Sequence, residues 1–547
     1  MKNIVKSIIF TMLLVIFLSG CGGGRSSSPA SSNASGGGIA GVISFGTMTS
    51  SADSLHLKSA SATVERNFAK AGLQRLKGSG VQKIPGEKIV KFRQGLSASE
   101  IEQLVTAMGG TVKRKLYGNG NQYVVAVNNA SAAFSAKNNS NIIYAEDNAV
   151  FHIMNEPNDA YYATDQIWSS YALNLPNAWN VQTGSSGIVV AVVDSGVAPH
   201  EDLNAANFVD GYDFVGNDSD PSDTDPSTDE DNRYSHGTHV AGIIAAMANN
   251  NKGIAGICWN SVKIMPVRVI GDNGTGSFDV IASGIQWAVD HGANVINLSF
   301  GSESSNAPDS STIKVAINNA LTKGIIVVAA AGNESHYVDF PANYTGVIAV
   351  AALGSNLQLA SYSNYGPEVK VCAPGGDGEN FVDYGYQMIL STSYDKEEHA
   401  PCYVWMSGTS MAAPYISGIA ALMLSQGISP AEVTTRIQSA NYGTPISTHG
   451  YSYSLPDACA LLQNSTPAMQ KVKVILENPD GTVIGSSHAV GCGGYYCFTG
   501  IAAGTYKVVS FVDANGNGTP DTGELSGSIQ VTVANGLITK NSNIAIP

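Results

Sequence analysis

The sequence predicts an α/β protein, in which a largely parallel β-sheet carries helices on both faces. Two continuous apolar runs, Ile188–Val193 and Ile325–Ala329, are rich in β-branched residues, which is typical of strands buried on both faces. Apolar runs with helical spacing follow His236 and Ser410. Alternation of buried strands with helices indicates a parallel sheet. Shorter segments predict a small α+β domain before this sheet and a small β-sandwich after it.

Charge is distributed unevenly along the 547 residues, whose formal net charge is −14. Residues 1–152 hold 16 Lys and Arg against 7 Asp and Glu, and residues 153–547 hold 13 against 36. A basic first quarter and an acidic remainder predict two parts that attract each other. The isoelectric point near 5.1 argues against nucleic-acid binding, which needs basic patches. The mean hydropathy of +0.02 argues against a disordered chain.

The first 20 residues have the pattern of an export signal. Lys2 and Lys6 precede an apolar run over 8–18, which is too short to span a bilayer core of about 30 Å. The segment that ends at Cys21 resembles the lipobox of bacterial lipoproteins, which implies cleavage before Cys21 and lipidation of that residue. The alternative is an ordinary signal peptide with an incidental cysteine. Residues 21–83 are rich in Gly, Ser and Ala and predict a flexible tether.

Residues 84–152 predict a small domain with strands and one helix. A strand-like alternation over 88–93 precedes the capping box of Ser97 and Glu100, and helical spacing follows from Ile101. Strand-like runs follow at 123–127 and 141–147. This order resembles the N-terminal propeptides of subtilisin-like proteases, and the resemblance implies an intramolecular inhibitor that is removed on maturation.

Three polar side chains stand where the predicted elements begin or end. Asp194 follows the strand 188–193, at the edge where open α/β sheets bind ligands. His236 begins a helix, and His239, one turn later, is interpreted as a packed histidine because no third metal ligand has suitable spacing. Ser410 precedes an apolar helix, whose N-terminus offers N–H groups to a developing anion.

The chain order Asp194, His236, Ser410 resembles the subtilisin family of serine peptidases. The segment 330–334 resembles the oxyanion-hole motif of that family, and 297–301 resembles its substrate-binding strand. The resemblance covers about 153–465, and the remaining 466–547 form the predicted β-sandwich module. It implies a serine endopeptidase with Ser410 as nucleophile, His236 as base, Asp194 as its orienting carboxylate and Asn333 as oxyanion donor. It also implies a substrate-binding set made of Ser299, Phe300, Gly301, Gly332 and Glu334.

The residues near Glu334 leave the specificity open. A carboxylate beside the primary pocket would favour a basic substrate side chain, and the alternative is a solvated surface carboxylate. The segment 249–254 resembles the calcium loop of thermitase-like subtilisins. The ligands that this resemblance implies are the side chains of Asp159, Asp202 and Asn250 with the backbone oxygens of Met247, Lys252 and Ile254.

Two further acidic segments raise the question of bound cations. Residues 194–232 contain 12 Asp and Glu and no Lys or Arg, so that we weigh a second cation site against a solvated acidic loop. In the C-terminal module, acidic or amide side chains have the spacing of a calcium loop, although the flanks predict strands and exclude a helical EF-hand. The implied ligands are Asp513, Asn515, Asn517, Asp521 and Glu524. That stretch resembles calcium-stabilised prealbumin-like modules of bacterial exoproteins.

Six cysteines remain besides Cys21, and an even count in an exported chain favours disulfides. We favour Cys492–Cys497, which are close in sequence, then Cys372–Cys402, which leaves Cys258–Cys459. Spacing alone allows fifteen pairings.

The sequence as a whole predicts a calcium-stabilised serine endopeptidase that is exported as a lipid-anchored zymogen and acts on proteins or peptides. The alternatives are a processing protease with narrow specificity and an inactive adhesion protein on a protease scaffold. Because Cys21 lies on the propeptide side, cleavage near 150–158 is expected to release the mature enzyme from the membrane.

Overall fold

The structure is a computed structural model. It describes residues 37–45, 83–107, 109–116, 120–127, 141–149, 156–226, 232–259, 261–302, 310–377, 387–467, 469, 471–514, 516–521, 524–534, 538–539 and 542–546. The proposed export signal and Cys21 lie outside these residues. None of the described helices combines the length and the apolar character that a membrane crossing requires. The chain divides into two compact units, 51–154 with 463–465 and the remainder.

The first unit is a four-stranded antiparallel sheet with one helix. Its elements are β2 (Lys83–Phe92), α1 (Ala98–Ala107), β3 (Gly110–Lys115), β4 (Gln122–Val127) and β5 (Ile142–Ala149), and the strand order is β3-β4-β2-β5. Ile101 and Val105 of α1 pack on Val90 and Phe92 of β2. The capping box is confirmed, because Glu100 accepts a hydrogen bond of 2.7 Å from Ser97 N, and Glu100 N donates one of 3.3 Å to Ser97 Oγ.

A nine-stranded sheet forms the centre of the second unit, in the order β15-β16-β12-β11-β10-β9-β6-β8-β7. All neighbours pair in parallel except the hairpin of β15 and β16. The strands are β6 (Val189–Asp194), β7 (Tyr212–Asp213), β8 (Lys263–Arg268), β9 (Val295–Leu298), β10 (Ile326–Ala330), β11 (Ile348–Leu353), β12 (Val371–Pro374), β15 (Gly443–Thr448) and β16 (Tyr451–Pro456). The predicted parallel α/β sheet is therefore confirmed.

Eight helices are described beside this sheet, together with a separate antiparallel hairpin. The helices are α2 (Ile167–Ala172), α3 (Leu175–Trp179), α4 (His236–Ala245), α5 (Phe278–Asp290), α6 (Ser311–Thr322), α7 (Thr409–Ser425), α8 (Pro430–Ile437) and α9 (Ala458–Gln463), and the hairpin pairs β13 (Ile389–Asp395) with β14 (Ala400–Met406). Helix α7 contacts β9, β10, β11 and β12, and nearly all its side chains are buried. This burial fixes its N-terminus at the carboxyl edge of the sheet.

Two four-stranded sheets form the C-terminal module. One has the order β18-β17-β20-β21, with β17 (Val472–Glu477), β18 (Val483–Ala489), β20 (Gly504–Val512) and β21 (Ser526–Val533). The other contains β19 (Tyr495–Ile501), β22 (Ile538–Thr539), β23 (Ile544–Ile546) and a strand from the far N-terminus, β1 (Gly37–Phe45). Apolar side chains of both sheets share one core, which confirms the predicted sandwich.

The strand β1 corrects the prediction of a flexible tether over 21–83. Residues 37–45 pair with β19, β22 and β23, so that this part of the segment is ordered. The physical reason is that Ile39 and Ile43, among the few large apolar residues in the segment, are buried in the core of the module. The Gly- and Ser-rich residues around them led the sequence prediction to miss this short apolar strand.

The predicted disulfides are also wrong, because all six cysteines are unpaired in the structure. Cys492 Sγ donates to the carbonyl of Leu455 at 3.2 Å, whereas Cys497 lies on β19 opposite Ala40 of β1. Cys372 lies in the central sheet and Cys402 in the separate hairpin opposite Ser393. Proximity in sequence therefore did not bring the sulfur atoms together.

Candidate active site

Asp194 and His236 meet where strand β6 ends and helix α4 begins. The Nδ1 atom of His236 lies 2.7 Å from Asp194 Oδ1, and that oxygen also accepts a hydrogen bond of 2.7 Å from Ser195 N. Ser195 Oγ accepts from Gly237 N at 3.0 Å. A Cβ on Gly237 would lie 2.1 Å from the carbonyl oxygen of Gly196, so only glycine lets the helix approach the strand this closely.

Burial and charge have opposing effects on His236. Burial lowers the pKa of its imidazole, and the negative charge and hydrogen bond of Asp194 raise it. The pKa is raised overall, because Asp194 is 2% exposed and its attraction is little screened. The arrangement can therefore accept a proton at Nε2 and stabilise the imidazolium that results.

His239 has the packed role that the sequence predicted for it. It is fully buried, and its Nε2 lies 3.2 Å from the carbonyl oxygens of both Ile389 and Val404. Burial, followed by the charge of His236, lowers its pKa to about 3. A neutral ring that donates from Nε2 satisfies these contacts.

Ser410 lies in the first turn of α7, half-buried. Its Oγ donates a hydrogen bond of 2.9 Å to the carbonyl oxygen of Ser299, and Ser299 Oγ donates one of 2.8 Å to the carbonyl oxygen of Ser410. Within the part of the chain that the structure describes, the hydroxyl of Ser410 thus bonds to Ser299 and has no hydrogen bond to His236. The hydroxyl must change its acceptor before His236 can take its proton.

Asn333 presents its amide beside the N-terminus of α7. Its Oδ1 accepts hydrogen bonds of 2.9 Å from both the N–H and the hydroxyl of Thr409, which orients Nδ2 away from Thr409. A Cβ built on Gly408 would lie 3.6 Å from Ser410 N and 3.7 Å from Asn333 Nδ2. A side chain at this position would therefore fill space within 4 Å of both nitrogen atoms, and with glycine an oxyanion fits there.

The remaining predicted substrate-binding residues surround these groups. Gly332 N donates to Thr409 Oγ1 at 3.1 Å, and Phe300 and Gly301 follow Ser299 at the end of β9. The exposed Glu334 accepts two hydrogen bonds through Oε2, one of 2.9 Å from Asn333 N and one of 2.8 Å from Asn364 Nδ2. The carboxylate therefore has a local positioning role in addition to any contact with substrate.

A second set of polar residues lies behind Asp194, and the local sequence gave no sign of it. Ser195 Oγ donates to Asp223 Oδ2 at 2.6 Å, and Asp223 Oδ1 lies 2.5 Å from Lys396 Nζ. Asp223 and Lys396 are 1% and 3% exposed. Arg268 similarly forms salt bridges with Asp213 at 3.1 Å and with Asp272 at 3.0 Å. Basic side chains from elsewhere in the sequence thus pair with Asp213 and Asp223, two of the buried acids of 194–232.

The predicted ligands near Asn250 also come together. Asp202 Oδ1 accepts a hydrogen bond of 2.6 Å from Asn250 Nδ2, and Asp159 Oδ2 accepts one of 2.8 Å from Asn249 N. Met247 N donates to the carbonyl oxygen of Asp202, and Ile254 N to its carboxylate. Burial raises the pKa of Asp159, and burial raises that of Asp202 to about 6. Within the described ranges, no salt bridge joins either carboxylate to Lys or Arg.

The acidic loop of the C-terminal module connects β20 to β21. Asp513 accepts hydrogen bonds from Gly516 N at 2.8 Å and Gly518 N at 3.1 Å, and Asn517 Nδ2 donates to Asp521 at 2.7 Å. Glu524 accepts from Ala514 N at 2.8 Å and so closes the loop. The predicted ligand Asn515 lies outside the described residues. Among those described, no three His, Cys, Asp or Glu side chains form a cluster suited to a metal ion; the set at Asp159 and Asp202 has only two carboxylates.

Comparison with protein families identifies two parts of the chain. Residues 185–492 match the model of the subtilase family, and residues 74–148 match that of the fervidolysin N-terminal prodomain. The first match contains His236, Asn333 and Ser410 as well as Asp194.

Individual relatives agree with this. A thermophilic serine proteinase of Bacillus sp. (strain AK1) is 41% identical over 372 residues, covering 66% of this chain and 82% of the relative. Thermitase of Thermoactinomyces vulgaris is 40% identical over 285 residues, covering 52% of this chain and 90% of thermitase. Among solved structures, a protease from Pseudoalteromonas arctica is 36% identical with a TM-score of 0.50, and the match covers 56% of this chain and 99% of that one.

Proposed function

The chain belongs to the subtilase family of serine proteases and carries a prodomain, and from that premise we propose that Asp194, His236 and Ser410 form its catalytic triad. The observation that carries the proposal is the 2.7 Å contact of His236 Nδ1 with a buried carboxylate. Helix α4, which His236 begins, packs on α7, whose first turn carries Ser410. Such a carboxylate fixes the imidazole tautomer and stabilises the imidazolium.

Catalysis begins when Ser410 Oγ exchanges its hydrogen bond to Ser299 for one to His236 Nε2. The oxygen attacks the scissile carbonyl carbon as its proton passes to His236. The resulting oxyanion accepts hydrogen bonds from Asn333 Nδ2 and Ser410 N, which has no partner within the helix at this position. The imidazolium then protonates the leaving amine, and water hydrolyses the acyl-enzyme by the reverse sequence of proton transfers.

The segment from Ser299 to Gly301 binds the substrate backbone in extended form in this proposal. Strand β9 ends at Leu298, and Ser299, Phe300 and Gly301 follow it outside the sheet. Extended peptides bind to such exposed edges through main-chain hydrogen bonds. Glu334 would then favour a basic substrate side chain through Oε1, since its carboxylate hydrogen bonds among the described residues use Oε2.

Calcium is the cofactor that the site at Asp159 and Asp202 fits. Both carboxylates are buried, at 4% and 0% exposed, and face Asn250. Buried carboxylates, an amide oxygen and backbone carbonyls are the donor set of a hard cation. The bound ion would neutralise this loop, with Met247, Lys252 and Ile254 supplying carbonyl oxygens. We extend the proposal to the loop 513–524, where Asp513 and Glu524 accept hydrogen bonds from backbone N–H groups of the loop and Asn517 donates one to Asp521.

We propose that the chain is exported through residues 1–20, lipidated at Cys21 and held inactive by its prodomain until cleavage near 150–158. Relatives described as extracellular proteases, from Natrialba magadii and Xanthomonas campestris, support export. Opposite charges of the two parts of the sequence favour the inhibitory contact.

Wild type and Ser410→Ala should be compared for casein hydrolysis and for N-terminal sequence of the mature form. Ser425→Ala is the matched control, because Ser425 lies on the same helix and donates to the carbonyl of Ala421. We expect inhibitor-sensitive hydrolysis and a new N-terminus in wild type and control, and neither in Ser410→Ala. Processing and hydrolysis that persist in Ser410→Ala would refute the proposed nucleophile.

A further inference from the structure

The N-terminal strand β1 lies inside the C-terminal sandwich. It pairs with β19 in antiparallel register, with Ile39 opposite Phe498 and Val42 opposite Tyr495. On its other side it pairs in parallel with β22 at Gly38–Ile39 and with β23 at Ile43–Phe45. The strand therefore has a neighbour on both edges, and its removal would leave β19 without a partner on that side.

Burial of its side chains ties β1 to the core. Ile39 and Ala40 are fully buried and Ile43 is 1% exposed. Ile39 and Ile43 belong to the same apolar core as Phe498 and Ile544, and Ala40 packs with the core of the central sheet. The strand thus completes the apolar packing of the module.

The backbone around Gly41 fits this one segment closely. A Cβ on Gly41 would lie 2.2 Å from the carbonyl oxygen of Ser542, so that no larger residue fits without displacing backbone. The N–H of Ile43 donates to Gly494 O at 2.8 Å, and Val42 N donates to Asn543 Oδ1 at 2.9 Å. Ser542 N in turn donates to the carbonyl of Ala40 at 3.0 Å.

We propose that β1 stays in the sandwich after maturation, so that the mature enzyme consists of two chains that are held together without a covalent bond. The inference rests on the proposed cleavage near 150–158, where one water molecule is consumed and one peptide bond breaks. That bond lies more than a hundred residues from β1, and the hydrolysis alters none of the contacts of the strand. The N-terminal segment, with Cys21, consequently remains attached, and cleavage alone leaves the enzyme anchored. This reverses the expectation of release.

The test uses the full chain with Ser410→Ala, a C-terminal affinity tag and the recognition sequence of a heterologous site-specific protease inserted between residues 59 and 60. Cutting there separates β1 from the prodomain and from the rest of the chain, whether or not the enzyme is active. We expect the N-terminal peptide to co-purify in equimolar amount on the tag under native conditions and to be lost in denaturant. Loss of the peptide from native, folded protein would overturn the proposal.

Two variants sharpen the result. Gly41→Val should release the peptide, because its side chain would overlap Ser542, whereas Ser44→Ala, at an exposed position of the same strand, should retain it. If Gly41→Val does not fold, a labelled synthetic peptide of residues 37–45 is added to the cut complex after mild denaturation. It should exchange in and be retained, and the Gly41→Val peptide should not; equal retention of both would contradict the specific seating of β1.

The active wild type separates the two proposals. If its mature form shows no cleavage near 150–158, the proposed maturation fails while the retention of β1 in the cut Ser410→Ala protein is still measured. If cleavage occurs and the peptide leaves, the proposed function stands and the two-chain enzyme is refuted.

Discussion

Replacing Lys396 by methionine tests whether the buried ion pair behind Asp194 both stabilises the fold and adjusts the basicity of His236. Lys396 Nζ lies 2.5 Å from Asp223 Oδ1, and the two side chains are 3% and 1% exposed. Methionine fills much of the same volume but leaves Asp223 buried without its cation. Removing one partner of a buried pair costs about 3–5 kcal/mol, far more than the surface value of about 0–1 kcal/mol.

The measurement is urea unfolding followed by tryptophan fluorescence in a Ser410→Ala background, which prevents self-digestion. All five tryptophans lie between residues 168 and 405, so the signal reports the catalytic region alone. The matched control is Lys323→Met, since Lys323 pairs with Asp290 and both side chains are about half exposed. An equal, small loss in both variants would refute the assignment of stability to the buried pair.

The same pair gives opposite predictions for the pH dependence of kcat/KM. Asp223 raises the pKa of His236 and Lys396 lowers it, although burial and Asp194 have the larger effects. Catalysis needs neutral His236, so the acid limb should move to higher pH in Lys396→Met and to lower pH in Asp223→Asn. Shifts in the same direction for both variants would contradict the electrostatic reasoning.

Three further predictions concern the oxyanion site, the cation and a buried acid. Asn333→Ala should lower kcat by about 10²–10³, which is the loss measured for the oxyanion-hole asparagine of a subtilisin. Gly408→Ala should also lower kcat, with little change in thermal stability. Steady-state kinetics would measure both effects. A calcium chelator should lower the melting temperature, and excess calcium should restore it. At a free calcium concentration of about 100 times the dissociation constant, binding adds about 2.7 kcal/mol to the free energy of unfolding. An unchanged melting curve would argue against the site. Burial raises the pKa of Asp457 to about 7, so the free energy of unfolding falls as the pH rises from the unfolded pKa of about 3.9 to about 7 and stays lowered above that. Asp457→Asn should therefore raise the melting temperature at pH 8, an effect that disappears below the unfolded pKa of about 3.9, and a gain that is the same at both pH values would contradict this sign.

The residues that the sequence could predict lie at the ends of regular elements. Asp194 ends a buried strand, and His236 and Ser410 begin helices, so short local patterns fixed both their structure and their neighbourhood. Strand and helix periodicity also predicted the central sheet and three strands of the sandwich. In these cases the local preference and the tertiary packing agree.

The residues that it could not predict depend on partners that are remote in sequence. Lys396 meets Asp223 across more than 170 positions, and neither has a flanking pattern that indicates the other. The twelve acids of 194–232 left a second cation site and a solvated loop open, whereas in the structure Arg268 pairs with Asp213 and Lys396 with Asp223. Cysteine spacing failed for the same reason, because the strands carry each sulfur to a different neighbour.

The seating of β1 has a consequence for the timing of synthesis. Val42 and Asn543 are 501 positions apart, and at about 5–20 residues per second the first strand waits roughly 25–100 s for its partner. Contacts of such separation form late, since the long loop must close before they contribute. A nascent chain that stops before β22 has neither strand to cover that edge of β1. The sandwich can therefore be completed only after translation has reached the end of the module. Truncated products are left with an exposed edge of β1, which is prone to aggregate.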